Sequence, residues 1–459
     1  MVGMSLPHSA CYVACLLLAV VSARWLGLTA PNEPGTEQHR QATVSINTKE
    51  PALSDVPSRP LSGIRVVELG RLVAAPLAAQ ILGDLGADVV KVEHPRGDEY
   101  RRYGPSFLAE PDGEPSQLSS GFISNNRNKQ SVAVDFSTPE GQDIIRQLAG
   151  RADVFIENFK VGGLRKYGLD EAALRARHPG LIYLSVTGYG QTGPYSSRPA
   201  TDGAIQAMSG MQSLTGEPDG PPQRAGTLIV DVITGIYSAL GIVAALRQRD
   251  STEAGQHIDM SLLDCAMASL ATSVAEYRLS GEAPIRHGNT QPGSVPARSF
   301  VCRDGHVQIQ AAFDAHFVRL CACFGYPELA GDRRFATRAA RVEHEAELSA
   351  ILEPEFASRS VDEVFRLLAP ADIICSPVNS VAAALADPQV IAREVEQDFA
   401  LPDGRTVPNV ASPLRMSGTS ISYDRPAPTI GHHTSEVLAS WLNTTPEQIA
   451  AWRRRGVVA

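Results

Sequence analysis

From residue 61 onward the chain alternates short β-rich runs with helix signals, and this rhythm limits its fold more than any other feature. The runs are residues 64–69 (IRVVEL), 88–93 (DVVKVE), 131–136 (SVAVDF), 152–158 (ADVFIEN) and 181–187 (LIYLSVT). Between the first two, Pro76 stands where a first helical turn tolerates it and Gly86 ends the helix. Ser137 and Glu140 have capping-box spacing ahead of a second helix. Asp170 reads as the cap of a third, which Pro179-Gly180 stops. Strands alternating with helices of this length form a parallel sheet covered on both faces, so the expected class is α/β. A long apolar helix over 231–247 and strand-like alternation over 255–262 extend the pattern.

The text changes near residue 278. Residues 287–298 are rich in Gly, Pro and Asn, and 300–311 read as an antiparallel hairpin around Arg303-Asp304-Gly305. Helical text follows, so 278–368 is expected to form a smaller α+β domain. Turn chemistry at Pro402-Asp403-Gly404 and a helix opening at Thr445-Pro446-Glu447 mark the last part of the chain. Residues 1–60 differ from the rest. An apolar run at 10–21 is too short to span a bilayer comfortably, and no Lys or Arg precedes it as a signal peptide requires. Residues 31–60 are polar and Pro-rich, as in a disordered linker. A targeting leader and an over-extended start both fit, and no membrane span is expected.

The 459 residues carry a net charge of -9, which argues against nucleic-acid binding because that needs a basic face. A local cluster of Lys and Arg can still hold phosphates within an acidic protein. The seven cysteines form no C-x-x-C pair and no zinc-like spacing with histidine. No metal is expected, and reduced thiols suit a cytoplasmic or organelle-matrix protein.

Gly188-Tyr189-Gly190-Gln191-Thr192-Gly193 matches the dinucleotide fingerprint G-x-G-x-x-G. That motif needs a helix to start at once, and Pro194 and Pro199 argue against one, leaving a loop whose backbone approaches a ligand. Basic groups recur at strand ends: His94 and Arg96, Asn126-Arg127-Asn128-Lys129, Asn158-Phe159-Lys160, and Arg165-Lys166. In open α/β sheets ligands sit at the carboxyl edge, so this recurrence suits a phosphate-rich ligand. Two carboxylates attract notice. Asp219 lies in a Pro-Asp-Gly turn, which presents a side chain without crowding, and Asp202 reads first as a helix cap.

Taken together, the runs PLSGIRVVELGRLVAAPLAAQILGDLGADVVKVEHPRGDEYR, NRNKQSVAVDFSTPEGQ, ADVFIENFKVGGLRKYGLD, LIYLSVTGYGQTGP, TGEPDGPP, AGQHIDMSLLDCAMA and HGNTQPGSVPARSFVCRDG resemble family III CoA-transferases, in order, over residues 60–459. The resemblance implies a Rossmann-like large domain built from both chain ends (61–277 and 369–459) around the smaller central domain. It also implies an interlocked homodimer in the cytoplasm, or in the mitochondrial matrix of a eukaryote. The substrates would be a coenzyme A thioester, with succinyl-CoA a possible donor, and small carboxylic acids. No cofactor would be bound permanently. The catalytic aspartate is expected at Asp219, with Asp202 second. CoA contacts are expected at Val73, Ala74, His94, Asn126, Arg127, Asn128, Lys129, Asn158, Phe159, Lys160 and Lys166. Several members carry Arg where His94 and Lys166 stand, so His94 would hold phosphate only when protonated. The related α-methylacyl-CoA racemases place His directly before the aspartate corresponding to Asp202, and Thr201 stands there instead.

Overall fold

The computed structural model describes residues 59–459 apart from 111, 112, 114, 402 and 403. Nearly all of the leader expected over 1–60, and most of the turn at Pro402-Asp403-Gly404, lie outside the described residues.

The first half of the chain lays down β1 (Arg65–Glu68), α1 (Ala74–Asp84), β2 (Asp88–Glu93), β3 (Lys129–Ala133), α2 (Pro139–Ala149), β4 (Val154–Glu157), α3 (Glu171–Arg177) and β5 (Ile182–Thr187). Then come α4 (Asp202–Met208), α5 (Ile229–Thr252), β6 (His257–Ser261), α6 (Leu262–Ser269) and α7 (Ala271–Ser280). The six strands form one sheet in the order β3-β2-β1-β4-β5-β6, every neighbouring pair parallel. This is the doubly wound dinucleotide-fold order, and the α/β expectation holds. Strand direction reverses its winding between β1 and β4, which opens a crevice beyond their carboxyl ends.

Successive side chains of a strand point to opposite faces. Val66, Val89, Ile156 and Leu184 accordingly join Ala75, Leu82, Ile205, Ile242 and Ala266 in one buried layer with α1, α4, α5 and α6. Val67, Val90, Val132, Phe155 and Tyr183 join Ile144, Ile145 and Leu148 of α2 in the other. The second layer also takes Leu438 and Trp441 of a helix at Thr434–Leu442 and Ile449 of one at Pro446–Arg454. Thr445 caps the last helix as its sequence implies. The large unit therefore draws on both chain ends. Among the described residues α5 is the one helix long and apolar enough to cross a membrane. It lies along α1, and Gly235 permits the approach: a Cβ there would sit 3.0 Å from the Ala74 carbonyl oxygen and from Leu77.

A second unit holds β7 (Ala297–Cys302) and β8 (Gly305–Gln310), the expected hairpin, with β9 (Ile374–Pro377) completing an antiparallel sheet. Helices Asp314–Phe324, Glu345–Ala357 and Val361–Leu368 bury Phe317, Leu352 and Leu368 against it. Because β9 belongs to this sheet, the unit runs past residue 368, where the sequence text placed its end. Two local readings also shift. β3 begins at Lys129, ahead of the apolar residues. The cap of α2 is Thr138, whose Oγ1 accepts from Gly141 N, while Ser137 N donates to Asp135.

Inside the sheet lies a fully buried ionic cluster. Lys91 Nζ is 3.0 Å from Glu68 Oε1, 3.0 Å from Asp98 Oδ2 and 2.8 Å from the Gly70 carbonyl oxygen. Lys129 Nζ reaches the other Glu68 oxygen at 2.8 Å, and Arg101 holds Glu93 through two bonds of 2.6 and 2.8 Å. Burial opposes the Lys91 charge, but Glu68 and Asp98 outweigh it and raise the ammonium above its ordinary range. Removing one member leaves buried charges without partners, which costs about 3–5 kcal/mol. Lys91→Met is therefore expected to lose about 3–5 kcal/mol in urea unfolding. A loss below about 1 kcal/mol would mean the cluster is dispensable.

Candidate active site

The crevice between β1 and β4 is shaped by the loop after β1. Asn158, just past β4, clips that loop: its Oδ1 accepts from Arg71 N at 2.9 Å and its Nδ2 donates to the Arg71 carbonyl at 2.8 Å. Leu72 follows with φ 63, a left-handed conformation that costs a leucine about 1–2 kcal/mol. Lys91 on the Gly70 carbonyl and Asp98 below Leu72 N help hold the strained turn.

Two adjoining cavities open there, sharing Arg71 and Phe159. One, of about 450 Å³, is lined by Arg71, His94, Arg96 and Arg102, by the carboxylates Glu93, Asp98 and Glu99, and by Phe136 and Phe159. The Phe136 and Phe159 rings meet edge to face at 5.9 Å, and the Arg71 guanidinium lies 4.7 Å from the Phe159 ring centre. Cations beside aromatic faces are what a phosphate-bearing aromatic ligand needs. His94 accepts from Arg96 N through Nδ1 at 3.0 Å and keeps Nε2 3.8 Å from Asp135. The other cavity, of about 560 Å³, is lined by Val73, Ala74, Asn158, Phe159 and Lys160 and reaches Asp202 and Asp231. Both volumes lie in the range of small-molecule sites.

Asp202 is the first residue of α4 and is 3% exposed. It does not cap its own helix. Its Oδ2 accepts from Val230 N at 2.8 Å and Asp231 N at 3.1 Å, the first-turn amides of α5. Its Oδ1 accepts from Gln206 Nε2 at 2.5 Å, and Ala225 N holds the Gln206 oxygen at 2.9 Å. The N-terminus of a long helix is a good seat for a negative charge. Gly188 makes the placement possible, since a Cβ there would come 2.1 Å from the Ala200 Cβ. The glycine loop brings Ala200 and Asp202 against the end of β5, and no helix begins until Asp202, so dinucleotide geometry is absent there.

Asp219 stands elsewhere. It is exposed in a turn closed by Gly220 N on the Glu217 carbonyl, which Arg286 braces, and it lines neither cavity. The four residues Asn126–Lys129 are all buried and none lines either cavity. Arg127 pairs with Asp84 at 2.5 Å and bonds Asn409 and the Val410 carbonyl. Asn128 bonds Asp84 and the Ser422 carbonyl, and Asn126 accepts from Lys129. Together they clamp the returning C-terminal segment. Lys166 is exposed, its ammonium 4.6 Å from the Tyr167 ring centre, outside both cavities. The sequence reading missed Arg71, Arg102 and Asp231. Only Asp231 left a sign, a lone acid in the first turn of an apolar helix.

The profile of CoA-transferase family III matches residues 61–434. The chain belongs to that family. Succinate–glutarate CoA-transferase of Agrobacterium fabrum is 44% identical over 391 residues, covering 84% of this CoA-transferase and 97% of that protein. Human succinyl-CoA:glutarate CoA-transferase is 34% identical over 404 residues, covering 87% and 90%. A CaiB/BaiF family protein from Brucella suis shares the fold with a TM-score of 0.77 and 43% identity, covering 84% of this chain and 100% of that one.

The clamp and the cavity separate experimentally in this CoA-transferase. Arg127→Ala is expected to lower unfolding stability by about 3 kcal/mol or more, because Asp84 stays buried without its partner. The KM for acyl-CoA at a temperature where the variant is folded should change by less than about threefold. A large rise in that KM with unchanged stability would return Arg127 to the ligand site.

Proposed function

We propose that the enzyme moves CoA from succinyl-CoA to a small dicarboxylic acid such as glutarate, with Asp219 as the covalent carrier. The observation that carries this reading is the match to CoA-transferase family III across residues 61–434, which includes the turn that presents Asp219 to solvent and that Arg286 braces through the Glu217 and Gly220 carbonyls. The relatives named for succinate and glutarate supply the acids.

In this reading the adenosine phosphates lie near Arg71, Arg96 and Arg102. Val73 and Ala74 lie against the pantetheine arm, with Lys160 at the rim. An Asp219 oxygen attacks the thioester carbonyl carbon, the carbon–sulfur bond breaks, and CoA leaves as thiolate. The product is a mixed anhydride of succinate and Asp219. The thiolate attacks the Asp219 side-chain carbonyl and expels succinate, which carries away one former Asp219 oxygen. The acceptor carboxylate then attacks the aspartyl thioester, and the steps run in reverse. Each difficult exchange becomes a series of easier ones, with thioester energy retained. A racemase would require an acid–base pair, and Thr201 stands where the racemases place His.

We further infer an interlocked homodimer. Ile236, Tyr237, Leu240 and Val243 on α5, Met267 on α6 and Val274, Tyr277 and Leu279 on α7 are exposed, more apolar surface than a lone subunit normally leaves to water. A reducing compartment, cytoplasm or mitochondrial matrix, suits the unpaired cysteines among the described residues.

Asp219→Ala is expected to lower kcat for succinyl-CoA-dependent formation of glutaryl-CoA by at least about 10⁴-fold, with folding intact. Asp202→Ala should retain a rate at least about 10²-fold above that of Asp219→Ala at a temperature where it is folded. The opposite ranking, read by mass spectrometry of the CoA esters, would overturn the assignment. Light scattering should give twice the chain mass, and a monomer at working concentration would remove the dimer.

A further inference from the structure

Three strands of the sheet end in a buried glutamate, and one of those glutamates lacks a cation. Glu68 closes β1 between Lys91 and Lys129, and Glu93 closes β2 on Arg101. Glu157 closes β4 and is 6% exposed. Among the described residues no Lys or Arg pairs with it. Its carboxyl accepts from Phe159 N at 2.7 Å and is hydrogen-bonded to the hydroxyl of Ser185, its partner on β5. Ser185 Oγ lies 3.0 Å from Nε2 of His257, the first residue of β6.

The three residues after Glu157 face the ligand cavities. Asn158 clips the Arg71 turn, the Phe159 ring meets Arg71 and Phe136, and Lys160 lines the larger cavity. A third cavity, of about 200 Å³, is lined by Glu157, Ser185 and His257 and shares Lys160 with the larger one. The other titratable or charged groups lining it are Lys160, Arg165, Asp170, Glu171 and Tyr183. Asp170 faces Arg165, Glu171 pairs with Arg175, and Tyr183 donates to the Leu169 carbonyl. On the other flank of β4, Glu68 is held by its two lysines. α1, which also packs on β4, has Asp84 as its one titratable group, and Arg127 holds it.

The same partners serve either protonation state of Glu157. Ionised, it accepts from Phe159 N–H and Ser185 O–H, while His257 Nε2–H donates to Ser185. Protonated, it donates its own O–H to Ser185, whose hydroxyl turns to the Nε2 lone pair of the other neutral histidine tautomer. The proton is exchanged with solvent. A hydrogen bond to an ionised acceptor is roughly twice as strong as one to a neutral acceptor, so the carboxylate holds the Phe159 amide more tightly than the acid does.

We propose that Glu157 is a positioning residue for the CoA ester: its carboxylate orders Asn158, Phe159 and Lys160 against the ligand, and its protonation loosens them. This rests on the reading above that the two adjoining cavities hold the CoA ester. Burial, against the bonds from Ser185 and Phe159 N, pushes the Glu157 carboxyl up to about 7. Burial also lowers the His257 imidazole, which favours its neutral form. Glu157 is therefore mostly neutral below that pH and mostly ionised above it, so the segment tightens as pH rises.

Glu157→Gln keeps the shape of the side chain and an acceptor for Phe159 N, but it does not ionise. At each pH its KM for succinyl-CoA is divided by that of the unaltered enzyme. The ratio is expected to rise from about one near pH 6 to about five near pH 8, with kcat changed less than about twofold. Taking the ratio cancels the titration of His94, which both proteins share. A merely structural glutamate predicts a ratio that does not move with pH, and that result overturns the proposal. A second measurement needs no ligand: amide hydrogen exchange over residues 158–164. Near pH 8 the segment should be about fivefold better protected in the unaltered enzyme than in Glu157→Gln, and near pH 6 equally protected. Equal protection at both pH values overturns the proposal whether or not the enzyme transfers CoA. Asn158→Ala opens the Arg71 clip directly and should raise the KM for succinyl-CoA at least about fivefold at both pH values. An unchanged KM there counts against the cavities as the CoA site, and the exchange result then decides the hold of Glu157 on its loop.

Discussion

Glu68 accepts from two buried lysines at once, and the site depends on that arrangement. The carboxylate sits at the end of β1 with Lys91 on one oxygen and Lys129 on the other. Lys91 also holds the Gly70 carbonyl and the Asp98 carboxylate, so the cluster reaches into the loop that turns from β1 to α1. Asp98 in turn accepts from Tyr100 N. Buried ion pairs add little net stability over apolar packing, because desolvation offsets their attraction. Their effect here is positional: three strands, a strained turn at Leu72 and the 3₁₀ helix at Glu99–Arg102 are tied to common charges. Those segments supply Arg71, Arg102 and the floor of both cavities.

On that base the strand order supplies the crevice, and α5 supplies the charge environment. Asp202 is solvated by main-chain amides and a glutamine in place of a cation. Those donors fix Asp202 at the wall of one cavity, while Arg71, Arg96 and Arg102 line the other. The two spaces meet at Arg71 and Phe159.

Much of the fold was legible because strands buried on both faces read as nearly continuous apolar runs. Val66, Val67, Val89 and Val90 announce β1 and β2 directly. β3 was misplaced by two residues because Lys129 and Gln130 are buried polar residues, which a search for apolar text excludes. The basic turn Asn126–Lys129 looked like a ligand loop for a related reason. Its partner Asp84 lies 43 residues from Arg127, and no local spacing reveals the pairing. The seat of Asp202 was hidden by the same limit. Asp219 has strong local turn chemistry, whereas the amides that single out Asp202 arrive from residues 28 and 29 positions further along. Asn158, Phe159, Val73 and Ala74 line a cavity because they follow strands flanking the switch point.

The most direct measurement follows oxygen atoms. If the side chain of Asp219 becomes the carbonyl of an anhydride and then of a thioester, its oxygens exchange with those of the acid substrates. Turnover with succinyl-CoA and glutarate labelled with heavy oxygen in its carboxylates should place the label in the peptide containing Asp219, as read by mass spectrometry after digestion. Label confined to another acidic peptide, or an unlabelled protein after many turnovers, would contradict the account.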